Sequence, residues 1–154
     1  MYFLQVLYSS SLVDINVVPF GAWLAALLAV FMLLLSAFAS GSEIAFFSLS
    51  PNDVNALDPD RSAKDKSIEM LRDDNERTLA TILIANNFVN VAVVMLCTYG
   101  INAIVDFSSA PMLGFILETI VLTFLLLLFG EIMPKIYAQK NSLRFVRSSA
   151  PVLN

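Results

Sequence analysis

The sequence has no histidine, a single cysteine (Cys97), and charge on only 14% of its 154 residues. Without histidine it lacks the commonest metal ligand and proton shuttle, which excludes Ser-His and Cys-His catalysis and disfavours a zinc or copper site. No aspartate falls inside the long apolar runs to pair as an intramembrane catalytic dyad, so no enzyme is expected. One cysteine cannot close an internal disulfide. A net charge of −4, with no basic face interleaved with aromatics, gives no reason to expect nucleic acid. Any metal handled here must be held by oxygen.

What is abundant is apolar side chain. Hydrophobic residues make up 58% of the chain and the mean hydropathy is +0.76, a composition that belongs to an integral membrane protein. The pattern predicts an all-α membrane domain over 19–147, with three transmembrane helices, a juxtamembrane helical connector and a basic interfacial C-terminal helix. Residues 1–18 carry no basic n-region and no small-residue cleavage site. They are expected to form an outer-face leader rather than a signal peptide.

The first span is expected over about 19–49, between Pro19 and Pro51, with Glu43 its only charge. So long a helix exceeds the hydrocarbon thickness of about 30 Å, and the Ser40-Gly41-Ser42 stretch marks an expected break. Residues 51–78 form a hydrophilic connector in which Val54, Leu57, Ile68 and Leu71 suggest short surface helices. The second span, about 79–105, concentrates its polarity in Asn86, Asn87 and Asn90. The third, about 112–135, ends in Gly130-Glu131-Ile132-Met133-Pro134-Lys135. Pro134 has no N–H and its ring collides with the carbonyl four residues back, that of Gly130. One turn of helix thus offers a released backbone oxygen beside a carboxylate, two hard ligands where lipid should be.

All nine Lys and Arg residues fall in two places, the connector and the segment from Lys135 onward. The positive-inside rule then places the N-terminus outside and the connector and C-terminus in the cytoplasm. From Lys135 to Arg147, bases interleave with Ile136, Tyr137, Leu143, Phe145 and Val146, a pattern suited to anionic lipid. Residues 148–154 are expected to begin a further cytoplasmic region. By this topology Ser36/Ser40/Glu43, Asn86/Asn87/Asn90 and Gly130/Glu131 sit at similar depth. Hydroxyl, carboxamide, carbonyl and carboxylate oxygens together suit Mg²⁺, Na⁺ or Ca²⁺. Each cluster also has a packing reading. Ser-Gly-Ser suits close helix contact, and asparagines suit interhelical hydrogen bonding.

Three stretches carry a resemblance: Ser40-Gly41-Ser42-Glu43-Ile44-Ala45, then Thr81-Ile82-Leu83-Ile84-Ala85-Asn86-Asn87-Phe88-Val89-Asn90, then Phe129-Gly130-Glu131-Ile132-Met133-Pro134-Lys135. In order and spacing they resemble the transmembrane domain of the CorC/cyclin M magnesium transporter family. The resemblance implies a domain that forms a homodimer in a plasma or bacterial inner membrane, with a cytoplasm-facing Mg²⁺ site and Mg²⁺ export coupled to Na⁺ entry. It also implies a cytoplasmic region of CBS modules. Carried over by motif, the ion-site positions are Ser40, Asn86, Asn90, Gly130 and Glu131. Glu43 and Asn87 are expected to shape or neutralise the site, and Gly41 and Pro134 to serve as hinges. Gly41 replaces the alanine of other members, a change expected to loosen the helix. The alternative from another class is a membrane anchor and dimerisation module without transport, in which the polar clusters only hold helices together.

Overall fold

The computed structural model describes residues 14, 15 and 17–154; most of the expected leader at 1–18 therefore lies outside the described residues. The architecture is all-α, apart from a two-residue antiparallel pair, β1 (Asp14–Ile15) with β2 (Val105–Asp106). Three helices are long and apolar enough to cross a membrane: α1 (Phe20–Phe47), α4 (Asn75–Ile104) and a third running from Pro111 to Lys140. Between α1 and α4 lie two short helices, α2 (Pro51–Asn55) and α3 (Ala63–Asp73). The third span is composite, with α5 (Pro111–Leu125), a π-helical stretch over Leu126–Ile132 and α6 (Met133–Lys140). A final helix, α7 (Ser142–Leu153), follows the break at Asn141.

The spans pack through small residues. Along α1 the buried positions Ala22, Ala25, Ala29, Ser36 and Ser40 recur at helical spacing, so the backbone of α4 can approach closely. On α4 the matching face is Thr78, Ile82, Asn86 and Val93. The large apolar side chains, Leu27, Phe31, Phe88, Phe115 and Phe124 among them, point outward, as lipid-facing residues should.

Beyond the connector end of the spans the logic reverses. There Ala45, Phe46, Ile68, Leu71, Ala138, Val146 and Ala150 form a buried apolar core, with Phe145 and Leu153 packed against it. This foot is built from the end of α1, α3, α6 and α7. Its connections are well capped. Ser50 and Asp53 form a reciprocal capping box at α2, with Asp53 N–H donating to Ser50 Oγ at 3.2 Å and Ser50 N–H to Asp53 Oδ2 at 2.9 Å. Ser62 Oγ caps α3 by accepting from Asp65 N–H at 3.3 Å.

Three expectations change here. Ser40-Gly41-Ser42 does not break α1, which runs unbroken to Phe47. A Cβ on Gly41 would lie 2.5 Å from Phe145 Cζ, so the glycine makes room for a ring of α7 instead of loosening its own helix. The basic segment is not one interfacial helix. It splits at Asn141, and residues 148–153 belong to α7, with Ser149 and Ala150 buried. Arg147 turns inward to Asp65, Nε to Oδ1 at 2.7 Å and Nη2 to Oδ2 at 2.8 Å, and Nη2 also reaches Ala56 O at 3.3 Å. The two-pronged bond to Arg147 holds the Asp65 carboxyl below the usual carboxylate range, against the opposing effect of burial.

Candidate functional site

At mid-depth, nearer the foot, the three spans bring their polar clusters together. Ser36 Oγ on α1 lies 3.1 Å from Asn86 Oδ1 and 2.5 Å from Asn90 Oδ1, both on α4. The two asparagines meet it together because they stand one turn apart on the same face. A Cβ on Gly130 would stand 3.1 Å from Ser36 Oγ. The third span therefore comes against the same hydroxyl with bare backbone, at a spacing where an added Cβ would have to push the hydroxyl back.

A serine hydroxyl carries one hydrogen and can serve one acceptor at a time. The two carboxamides that face it bring oxygens and N–H donors of their own, so the three side chains can close a hydrogen-bonded cluster or turn their oxygens to a ligand. One turn further along α1, Ser40 is fully buried and its hydroxyl has no hydrogen-bond partner among the described residues. A buried polar atom without a partner is costly, and here it adjoins that oxygen cluster. That donor set fits a cation bound by oxygen.

The carboxylates stand one step toward the foot. Lys135 Nζ lies 3.2 Å from Glu131 Oε1 and 3.5 Å from Glu43 Oε2, so one ammonium bridges the first and third spans. Its side chain and those of both acids are only partly covered. Glu131 is thus paired with a base of its own chain, and its carboxylate does not join the Ser36–asparagine cluster.

The backbone around Gly130 also departs from expectation. Pro134 does not end the third span, which continues to Lys140. The distortion lies ahead of it, in the π stretch, where Met133 N–H bonds to Leu128 O five residues back. The widened turns relieve the collision between the proline ring and the preceding turn that would break a regular helix. With no N–H, Pro134 withdraws a donor from the neighbouring carbonyls of Phe129 and Gly130.

Of the positions singled out in the sequence, Asn86, Asn90 and Gly130 converge, Ser40 adjoins them, and Glu131 and Glu43 form a separate pair around Lys135. Asn87 is exposed, turned about 100° around α4 from Asn86. Ser36, which belonged to the first polar cluster but was not among the motif positions, is the hub. Its i, i+4 relation to Ser40 was visible; which of two hydroxyls on one face meets α4 depends on where the helices cross. Lys135 as a bridge between two acids was likewise missed, although Glu131 and Lys135 stand at i, i+4 spacing.

Residues 27–154 match the family described as the Cyclin M transmembrane N-terminal domain. The chain is 34% identical over 121 residues to the Metal transporter cnnm-4 of Caenorhabditis elegans, covering 75% of this chain and 25% of that protein. It is 31% identical over 113 residues to a UPF0053 protein of Haemophilus influenzae, covering 73% and 26% respectively. With the UPF0053 inner membrane protein YfjD of Escherichia coli it shares 32% identity over 104 residues, covering 68% and 23%. The chain spans about a quarter of the length of these relatives.

Proposed function

The chain belongs to the Cyclin M transmembrane N-terminal domain family, and on that footing we propose that it is the membrane domain of a metal transporter whose cargo is Mg²⁺. The observation that carries the reading is the meeting of the Ser36 hydroxyl with the Asn86 and Asn90 carboxamides, three neutral oxygens drawn from two spans. Among the described residues no three Asp, Glu or Cys side chains gather into a metal cluster. A site of neutral oxygens with one carboxylate suits Mg²⁺, which keeps part of its water shell and commonly takes one or two carboxylates.

In this reading Ser36, Ser40, Asn86, Asn90 and the Gly130 carbonyl supply neutral oxygens, and Glu131 supplies the charge. Lys135 neutralises Glu131 and Glu43 while no ion is bound. An arriving cation competes with the ammonium for Glu131, and the returning ammonium helps expel it. The foot and its bases lie in the cytoplasm by the positive-inside rule, so the site opens inward. Mg²⁺ leaves the cell in exchange for Na⁺ entering. A homodimer in the membrane and a cytoplasmic CBS-type region complete the protein, and the exposed Lys140 and Arg144 meet anionic lipid.

A second reading makes the domain an anchor and dimerisation module. It is favoured by the way Lys135 already neutralises the acids and Ser36 already ties α1 to α4. Titration of thermal stability with Mg²⁺ separates the two, because a ligand that binds the folded state at one hundred times its Kd stabilises it by about 2.7 kcal/mol. Transport predicts a saturable rise in Tm that Asn90→Ala abolishes, together with Mg²⁺ efflux from loaded vesicles that fails in Glu131→Gln. Wild-type efflux from a protein carrying both substitutions would sink the site assignment. A flat Mg²⁺ titration in the wild type, with Asn90→Ala still lowering Tm, would favour the anchor.

A further inference from the structure

Glu118 stands apart from the other acids of the spans. It lies seven positions after Pro111 in α5, about 10 Å along the helix at 1.5 Å per residue and therefore inside the apolar layer. Its Oε1 is buried and has no hydrogen-bond partner among the described residues. Glu43 and Glu131 share Lys135, but between Arg77 and Lys135 the sequence has no base at all, nor any before Arg61. Among the described residues nothing at this end of the bundle neutralises Glu118, and an intramembrane carboxylate is too costly to be left alone.

Its surroundings are polar on two sides. Toward the 105–110 loop it lines a cavity of about 340 Å³ shared with Asn102, Asp106 and Ser108. Toward the α4–α5 groove it lines a second space, of about 250 Å³, shared with Thr98 and Thr123. Asn102 Nδ2 donates to Thr98 O at 2.9 Å, which spends the amide's donor side on its own helix and leaves Oδ1 as an acceptor. Asp106 Oδ1 accepts from Ser108 N–H at 2.8 Å, and that bond holds the aspartate below the usual carboxylate range, so the cavity mouth stays negative. The polar part of the lining is thus oxygen acceptors without a cationic partner, set among Val105, Phe107, Phe115 and Leu122. Glu118 is the one carboxylate that lines both spaces, and its single charge matches a monovalent ion held by oxygen.

We propose that Glu118, with Thr98 and Asn102, forms a Na⁺ site at the end of the bundle opposite the foot, open to the face bearing the 105–110 loop. This rests on the transporter reading, in which Na⁺ enters from that face, and it supplies the ion's first station. The site is separate from the Ser36–asparagine cluster, so the two respond independently. The test is thermal stability of the detergent-purified chain, titrated with NaCl against KCl at constant ionic strength, without and then with Mg²⁺. Wild type should show a saturable Na⁺-specific rise in Tm. Glu118→Gln should abolish it, and Thr98→Val should raise its midpoint about tenfold, the loss of one ligand contact. Both variants should keep the wild-type Mg²⁺ response. An unchanged Na⁺ response in both variants overturns the site. So does a wild type that ignores Na⁺ while Glu118→Gln removes a pH dependence, for that places a proton there. A Na⁺ response that survives where Mg²⁺ has no effect keeps this site and sinks the Mg²⁺ reading instead.

Discussion

The foot and the membrane-spanning bundle are packed by opposite rules within one chain. In the foot, Ile68 and Val146 are fully buried and charge is outside or paired, as water demands. In the bundle the buried face is mainly alanine, serine, threonine and asparagine, with Ile82, Val93 and Leu122 among them, and most leucines and phenylalanines are outside. Lipid is as apolar as leucine, so nothing drives leucine inward; close backbone approach and hydrogen bonds hold the spans instead. The comparison shows why polar groups can gather in the bundle at all. Small residues bring the helices near enough for their hydroxyls and amides to meet.

The strongest challenge to that contrast is to delete equal apolar mass on each side of it. Ile68→Ala in the foot, at 0% exposure, should cost about 3 kcal/mol. Leu27→Ala in the bundle, 66% exposed within the isolated chain, should cost less than about 0.5 kcal/mol in detergent or bilayer. Unfolding free energies that came out equal would refute the two-rule account.

A second test removes the foot's one buried charge pair. Asp65 is 2% exposed and Arg147 39%, so Arg147→Ala strands a buried carboxylate. We expect a loss of about 2 to 3 kcal/mol near neutral pH, discounted for the exposure of the guanidinium. Because Arg147 holds the folded-state pKa of Asp65 below its ordinary 3.8, the stabilisation is complete above that value. It fades as the pH falls through the lower folded one. Wild type and variant should therefore converge in stability under strong acid, and a gap that persists there would assign the effect to packing.

The third and smallest effect lies where the two regions meet. Gly41→Ala drives a methyl group against Phe145, whose ring is flanked by Phe38 at 6.3 Å and Tyr137 at 6.4 Å between centroids. Overpacking of this kind should cost about 1 to 2 kcal/mol. Adding Phe145→Leu should return part of it, so that the double variant costs less than the sum of the singles. Strict additivity would restore the hinge reading of Gly41.

Much of this was legible in advance. Length and apolarity gave the three spans, and the polar cluster in each held the residues that meet, Ser36, Asn86, Asn90 and Gly130. What could not be read were relations between distant positions. Gly41 reads as a weak point until Phe145, more than one hundred residues on, fills the space beside it. Arg147 reads as a lipid anchor until Asp65 is found opposite, 82 positions earlier. Ser36 and Ser40 share one face, and only the crossing of α1 with α4 decides between them. The π stretch has no local signature beyond Pro134, which predicts strain but not that the strain is taken up by widening the turns before it.

That stretch has one further consequence. Seven residues wound at π pitch amount to a dislocation in an otherwise regular helix, because the chain there holds a surplus residue. Dislocations can migrate without breaking what lies on either side. Handing the surplus one position along turns the intervening residue by about 100° and slides it by about 1.5 Å, the increments of a single helical step. Gly130 and Glu131 sit within this stretch, so such a step would change which of them faces the Ser36–asparagine cluster while the two ends of the third helix stayed seated.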